Sequence, residues 1–187
     1  MYPWEKYDHD KIEEKQKAHG LRQMVWGAIW LDSWGRPHRS ELVIMPRDFE
    51  SEKHGYSGNS YIKTLEEGLL PYYQPGVRFQ QDNATIHEAR HVKRWFEDHG
   101  IWVVKWPRYS PDLNPIEHMW HALKRLLHKL YPDIDKLGHS QEDLDYLCKC
   151  MKEAWKKIPN SLIFKLIDGM PRRLDALRKA KGWQTKY

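Results

Sequence analysis

The sequence predicts an α/β fold in which helices flank a sheet. Three observations carry this reading. Strand-like and helix-like segments alternate along the chain, the helical ones each bear an apolar stripe, and Gly, Pro or Asn marks most boundaries. A length of 187 residues suits one domain with a sizeable buried core and a short appendage.

The elements follow in order. Residues 1–20 are charged and aperiodic, which predicts a loop or loose helix. The run MVWGAIWL, residues 24–31, is rich in β-formers. A turn at residues 33–35 and a second strand in HRSELVIMP complete a hairpin. SGNSYIKTLEEGLLPYY begins with capping residues and sets Tyr61, Leu65 and Leu69 at helical spacing. Pro75 and Gly76 stop that helix, and VRFQQDN predicts a short strand. ATIHEARHVKRWFEDHG places Ile86, Ala89, Val92, Trp95 and Phe96 on one side, predicting an amphipathic helix that ends at Gly100. IWVVKWP reads as a buried strand. Beyond it, Ile116, Met119, Trp120, Leu123, Leu126, Leu127 and Leu130 form a long helical stripe. From Gln141 onward the pattern is helical, with Leu144, Leu147, Met151, Trp155 and Ile158 on one face and Pro159 and Pro171 as punctuation. The expected division is a polar segment at 1–20, a core at 21–135 and a helical extension at 136–187.

Composition narrows the function classes. A formal net charge of +5 favours polyanionic partners, a bias shared by many unrelated proteins. Cys148 and Cys150 lie too close in sequence for a relaxed disulfide or the usual zinc pairs, which points to a reducing compartment. No apolar stretch approaches a membrane span, and the N-terminus lacks a signal-peptide core, so a soluble intracellular protein is expected.

Two acids stand at element ends. Asp82 closes the VRFQQDN strand, and ligands of open α/β sheets gather beyond the carboxyl ends of strands. Glu117 sits in the first turn of the helix that follows the next strand. Paired carboxylates there suit Mg²⁺, a hard cation that prefers oxygen ligands. Local chemistry offers a plainer account. Asn114 as N-cap, Pro115 at N1 and Glu117 at N3 make a variant capping box, and Asp-Asn after a strand is ordinary turn chemistry. The local pattern leaves both open.

FQQDNATIH and WPRYSPDLNPIEHMW resemble the two best-marked blocks of mariner-type transposases, within the DDE transposase/integrase superfamily. The separation of 34 residues between Asp82 and Glu117 fits one large branch of that family. The resemblance extends to MVWGAIW and SYIKTLEEGLLP and covers most of residues 20–187. It implies a ribonuclease-H-like mixed sheet flanked by helices, with three carboxylates around two Mg²⁺ or Mn²⁺ ions, acting on DNA by strand cleavage and transfer. Asp82 and Glu117 are then the second and third acids, and Asn83, His87 and Asn114 stand behind them or face the substrate. A homodimer and a nuclear location are implied by the resemblance alone.

The family's first aspartate has no match. The upstream acids Asp8, Asp10, Glu13 and Glu14 follow no strand-like run, and EEKQKAH is too polar for a central strand. The expectation is therefore a truncated domain that lacks its first, central strand and the preceding DNA-binding region, with impaired activity. The alternative is an inactive nucleic-acid-binding remnant. In the C-terminal MPRRLDALRKAKGWQTKY, Arg172, Arg173 and Lys179 are candidate contacts to the DNA backbone, set against ordinary solvated helix charge.

Overall fold

A computed structural model describes residues 21–52, 54–106 and 113–179. The expected segment 1–20, most of the proline-rich turn before Glu117 and the tail from residue 180 lie outside the described residues.

The first hairpin forms as expected. Strands β1 (Val25–Trp26) and β4 (Val43–Ile44) pair antiparallel, as do β2 (Ile29–Leu31) and β3 (Pro37–Arg39). Between the two pairs the Ser40 amide donates to the Ala28 carbonyl at 2.9 Å, and the Ser40 hydroxyl accepts the Ala28 amide at 2.9 Å. A side chain thus replaces one ladder bond. Gly27 explains the interruption, because a Cβ there would lie 2.8 Å from the Trp155 ring. The Trp155 indole nitrogen donates to the Ser40 carbonyl at 2.8 Å, so one side chain both covers the irregular step and satisfies it.

At the hairpin tip Gly35 takes a positive φ of 77°. The carboxylate of Asp32 gathers the turn, accepting from the amides of Trp34 and Arg36, from Arg36 Nε at 2.7 Å and from His38 Nε2 at 3.1 Å. Burial pushes the Asp32 carboxyl up, but the Arg36 amide, His38, the Arg36 guanidinium and the Trp34 amide more than offset it. The net effect holds this acid well below the usual carboxylate range. Its folded pKa is depressed, so its contribution to stability is present at neutral pH and is lost as pH falls below about 4. Asp32→Asn should therefore lower the melting temperature at pH 7, and the gap from the unaltered chain should shrink in scans carried out at progressively lower pH.

Helix α1 (Gly58–Gly68) starts at a capping box in which Ser57 accepts the Asn59 and Ser60 amides. Strand β5 (Arg78–Phe79) pairs in parallel with β6 (Trp102–Val103). Helix α2 (Arg90–Asp98) lies between them in sequence. Helices α3 (Pro115–Leu130), α4 (Gln141–Lys156), α5 (Asn160–Asp168) and α6 (Met170–Lys179) complete the described chain, with a 3-10 turn at Ile134–Lys136.

The hairpin is the middle layer, and alternation along its strands sorts the core. Trp26 and Val43 join Tyr61, Leu65, Val92, Trp95, Phe96 and Ile101 on the α1/α2 side. Val25, Ile29 and Ile44 pack on the other side against Met119, Leu123, Leu147, Met151, Trp155 and Ile163. Helices α4 and α5 are therefore part of the main core. Arg39 fastens them by donating to the Trp155 carbonyl at 2.6 Å, to the Ile158 carbonyl and to Asn160 Oδ1, which satisfies carbonyls at the end of α4.

Two expectations change in detail. VRFQQDN forms a strand only at Arg78–Phe79. Among the described residues β5 pairs only with β6, and no described strand joins this pair to the hairpin. The predicted helix over residues 84–100 starts only at Arg90. Asp82 Oδ1 accepts the Ala84 amide at 3.1 Å, and the Ala84 carbonyl accepts the amides of His87 and Glu88, making a separate turn. Ala89, at φ −59° and ψ 138°, is extended and breaks the helix there. Both cysteines are free, and no helix among the described residues is long and apolar enough to cross a membrane.

Candidate active site

Because β5 and β6 run parallel, the segments leaving them emerge at the same end of the pair. Three bonds bind those segments together. The Val104 amide donates to the Phe79 carbonyl at 2.8 Å, extending the ladder by a step. Asn83 Nδ2 donates to the Trp106 carbonyl at 3.0 Å. Gln80 Nε2 donates to Asn114 Oδ1 at 3.3 Å, which ties the end of β5 to the residue that precedes α3. Asp82 and Glu117 stand two and three residues beyond the partners of this last bond.

Asp82 is held from one side. Its Oδ1 receives the Ala84 amide and lies 2.7 Å from His87 Nδ1, whereas Oδ2 has no partner among the described residues. The side chain remains half exposed. The His87 hydrogen bond, helped by the Ala84 amide and the charge of the imidazole, holds the carboxyl below its usual range despite partial burial. His87 is oriented in turn by Tyr61, whose ring centroid lies 4.1 Å away. Tyr61 is fully buried and donates from its hydroxyl to Gln81 Oε1 at 2.6 Å. Burial above all, with a contribution from the Asp82 charge, pushes the Tyr61 phenol well up, so it remains a protonated donor.

Glu117 occupies the first turn of α3, half-buried, and its amide donates to the Asn114 carbonyl at 3.1 Å. The capping-box alternative does not hold. Asn114 makes no side-chain cap bond, since its Oδ1 is taken by Gln80. No described residue hydrogen-bonds or ion-pairs with the Glu117 carboxylate. Asn114 itself is buried. The packing of Met119, Ala122, Leu123 and Leu127 fixes the helix that carries this acid. Both carboxylates thus keep oxygens with no partner among the described residues, hard anionic donors of the kind that Mg²⁺ or Mn²⁺ takes. Among the described residues no group of three or more potential metal ligands is assembled.

The C-terminal basic residues separate. Lys179 is exposed, Arg172 pairs with Asp168 at 3.1 Å, and Arg173 is buried, its Nη1 without a hydrogen-bond partner among the described residues. Sequence reasoning overlooked Gln80 and Tyr61. Gln80 carries a usable signal, since strand alternation puts it on the same face as Asp82. Tyr61 reads only as a core position of α1.

Comparison with known proteins places these features in context. Residues 46–138 match the family described as DDE superfamily endonuclease. The Tc1 transposase of Caenorhabditis elegans is 40% identical over 171 residues, covering 91% of this chain and 56% of that protein. The Tc3 transposase of the same organism is 34% identical over 181 residues, covering 94% of this chain and 49% of that protein. The chain therefore spans about half the length of these relatives. Among solved structures, the Mos1 strand transfer complex superposes with a TM-score of 0.57 at 21% identity, over 88% of this chain and 44% of that one. The Mos1 catalytic domain with raltegravir and Mn gives 0.55 at 18% identity, over 95% of this chain and 90% of that one. This likeness establishes a mixed α/β fold similar to the Mos1 catalytic domain.

Proposed function

Because this chain belongs to the DDE superfamily of endonucleases, in its Tc1/mariner branch, we propose that it is the catalytic portion of a DNA transposase. Its strand cleavage and joining depend on Mg²⁺ or Mn²⁺ held by Asp82 and Glu117. One observation carries the reading: Glu117 leaves the first turn of α3 with no capping partner, while the residue that would cap that turn is engaged by the Asp82 segment. Asp82 and Glu117 would hold such ions, which would supply activation of the attacking oxygen and stabilisation of the leaving oxygen in an in-line displacement at phosphorus. The protein's own residues position that chemistry. His87 holds one oxygen of Asp82 and leaves the other to project, and Asn83 and Asn114 fix the two acid-bearing segments against each other.

The ribonuclease-H-like arrangement places a central strand between the hairpin and the β5–β6 pair, and that strand carries the third carboxylate. The separation of these sheets among the described residues supports this reading. The partner is DNA, in keeping with the Mos1 strand transfer complex, and a second copy of the chain is part of the same proposal.

The test is nicking of supercoiled plasmid in Mn²⁺. One sample is the chain as it stands, and the other is extended by a strand-forming segment that ends in aspartate. The extended chain is expected to nick and EDTA to abolish it. If the extended chain binds DNA and Mn²⁺ yet never nicks, the protein is an inactive DNA-binding remnant.

A further inference from the structure

The α3 stripe is wider than the core it feeds. Ala122, Leu123 and Leu127 are buried, but Leu126 lies partly open at the margin, facing a groove shared with α5. The groove has a volume of about 760 Å³. Leu126 and Leu162 form its apolar floor, and Phe164, 45% exposed, stands at its edge. Its charged lining is entirely basic, consisting of Arg125 and Lys129 of α3 and Lys165 of α5. All three are exposed, and none has an ion-pair partner among the described residues. Some other cations on this surface are paired, as in Lys93–Glu88, Lys136–Asp133, Lys156–Glu41 and Arg172–Asp168.

We propose that the α3–α5 groove docks an acidic amphipathic helix from a partner protein. The groove walls are two helix faces, and on α3 the lining residues fall at positions 122, 125, 126 and 129, the spacing of a single helical stripe. A third helix laid between two such faces covers Leu126, Leu162 and Phe164 with its apolar residues at i, i+3, i+4 and i+7. Carboxylates flanking that stripe meet Arg125, Lys129 and Lys165. Charge complementarity sets the sign of the partner and steers its approach, while the apolar floor supplies the burial. A nucleic-acid backbone would satisfy the cations and leave the leucines and Phe164 uncovered, so a peptide is the better fit. This inference stands apart from the proposed chemistry, since it uses none of the residues around Asp82 or Glu117.

The probe is a fluorescein-labelled synthetic peptide of about four helical turns, with leucines at i, i+3, i+4 and i+7 and glutamates between them. Its binding to the full chain is followed by anisotropy and by amide shifts in a nitrogen-15 correlation spectrum. Saturable binding is expected, with shift changes concentrated over residues 122–129 and 159–165. The triple change Arg125→Glu, Lys129→Glu and Lys165→Glu should weaken it at least about tenfold. Because these side chains are exposed, the melting temperature of the variant shows whether its fold is intact. Leu162→Gln gives a second reading that leaves the cations in place and should also weaken binding. The proposal is overturned if the variants bind the peptide as the unaltered chain does, or if a peptide with lysines for glutamates binds equally well. Shifts lying elsewhere would also overturn it. So would duplex DNA that displaces the peptide and depends on the same three cations, or self-association of the chain through this face, each of which names a different occupant.

Discussion

Asp82→Asn and Glu117→Gln are each expected to lower metal-dependent strand cleavage by about 10³-fold or more, roughly 4 kcal/mol of transition-state stabilisation. The measurement is plasmid nicking by a chain that is active before substitution. Each change keeps the size of the side chain and removes an anionic oxygen donor, so a hard divalent ion loses a ligand that an amide replaces poorly. Glu117→Gln carries a second readout. Its carboxylate has no partner among the described residues, so the melting temperature should stay essentially unchanged. If Glu117 instead served to cap α3, the substitution would cost on the order of 1 kcal/mol of stability. His87→Ala should be milder. It frees Asp82 from the 2.7 Å contact that orients it but removes no ligand, and a loss of about 10–100-fold is expected.

Trp155→Ala should be the most damaging single change to stability, costing about 3–5 kcal/mol. The side chain is fully buried, stacks against Trp120 with ring centroids 5.3 Å apart, and lies close over Gly27. Its indole also satisfies the Ser40 carbonyl. Trp155→Phe retains much of the packing but orphans that carbonyl, for a smaller loss of about 1–3 kcal/mol. Set against the roughly 5–15 kcal/mol of a typical domain, the alanine variant is left only marginally folded. Urea titration of both variants measures the difference. Gly27→Ala is destabilising because its Cβ would meet the Trp155 ring at 2.8 Å, and combined with Trp155→Ala it should cost much less than it does alone.

Much of this architecture is present in the sequence as pattern. The stripe through Met119, Leu123 and Leu127 gives α3 in the expected register, and Ser57 caps α1 as its chemistry predicts. What the pattern does not hold is which of two competing local bonds wins, or the effect of partners distant in sequence. Residues 84–88 have helical composition, yet the Asp82 carboxylate draws the Ala84 amide into a turn and α2 starts late. VRFQQDN is a good strand by propensity, but pairing with β6 alone leaves it short among the described residues.

The candidate site was marked in the sequence to a similar depth. Asp82 and Glu117 stood out by position and by resemblance, while the choice between capping and ligand chemistry for Glu117 depended on where Asn114 points. That side chain turns to Gln80, whose only mark in the sequence is its place on the same strand face as Asp82. Arg173 reads as one of several exposed cations, and only packing shows it buried while Arg172 pairs with Asp168. Arg39 looks like an ordinary strand cation but serves the end of a helix more than a hundred residues away.

The most direct test of the central claim is anomalous diffraction at the manganese edge from crystals of the chain soaked in Mn²⁺. The account predicts a peak within coordination distance, about 2.0–2.3 Å, of oxygens from both Asp82 and Glu117, absent in the Glu117→Gln variant. A peak on either acid alone, or two carboxylates facing away from each other with no ion between them, would contradict it.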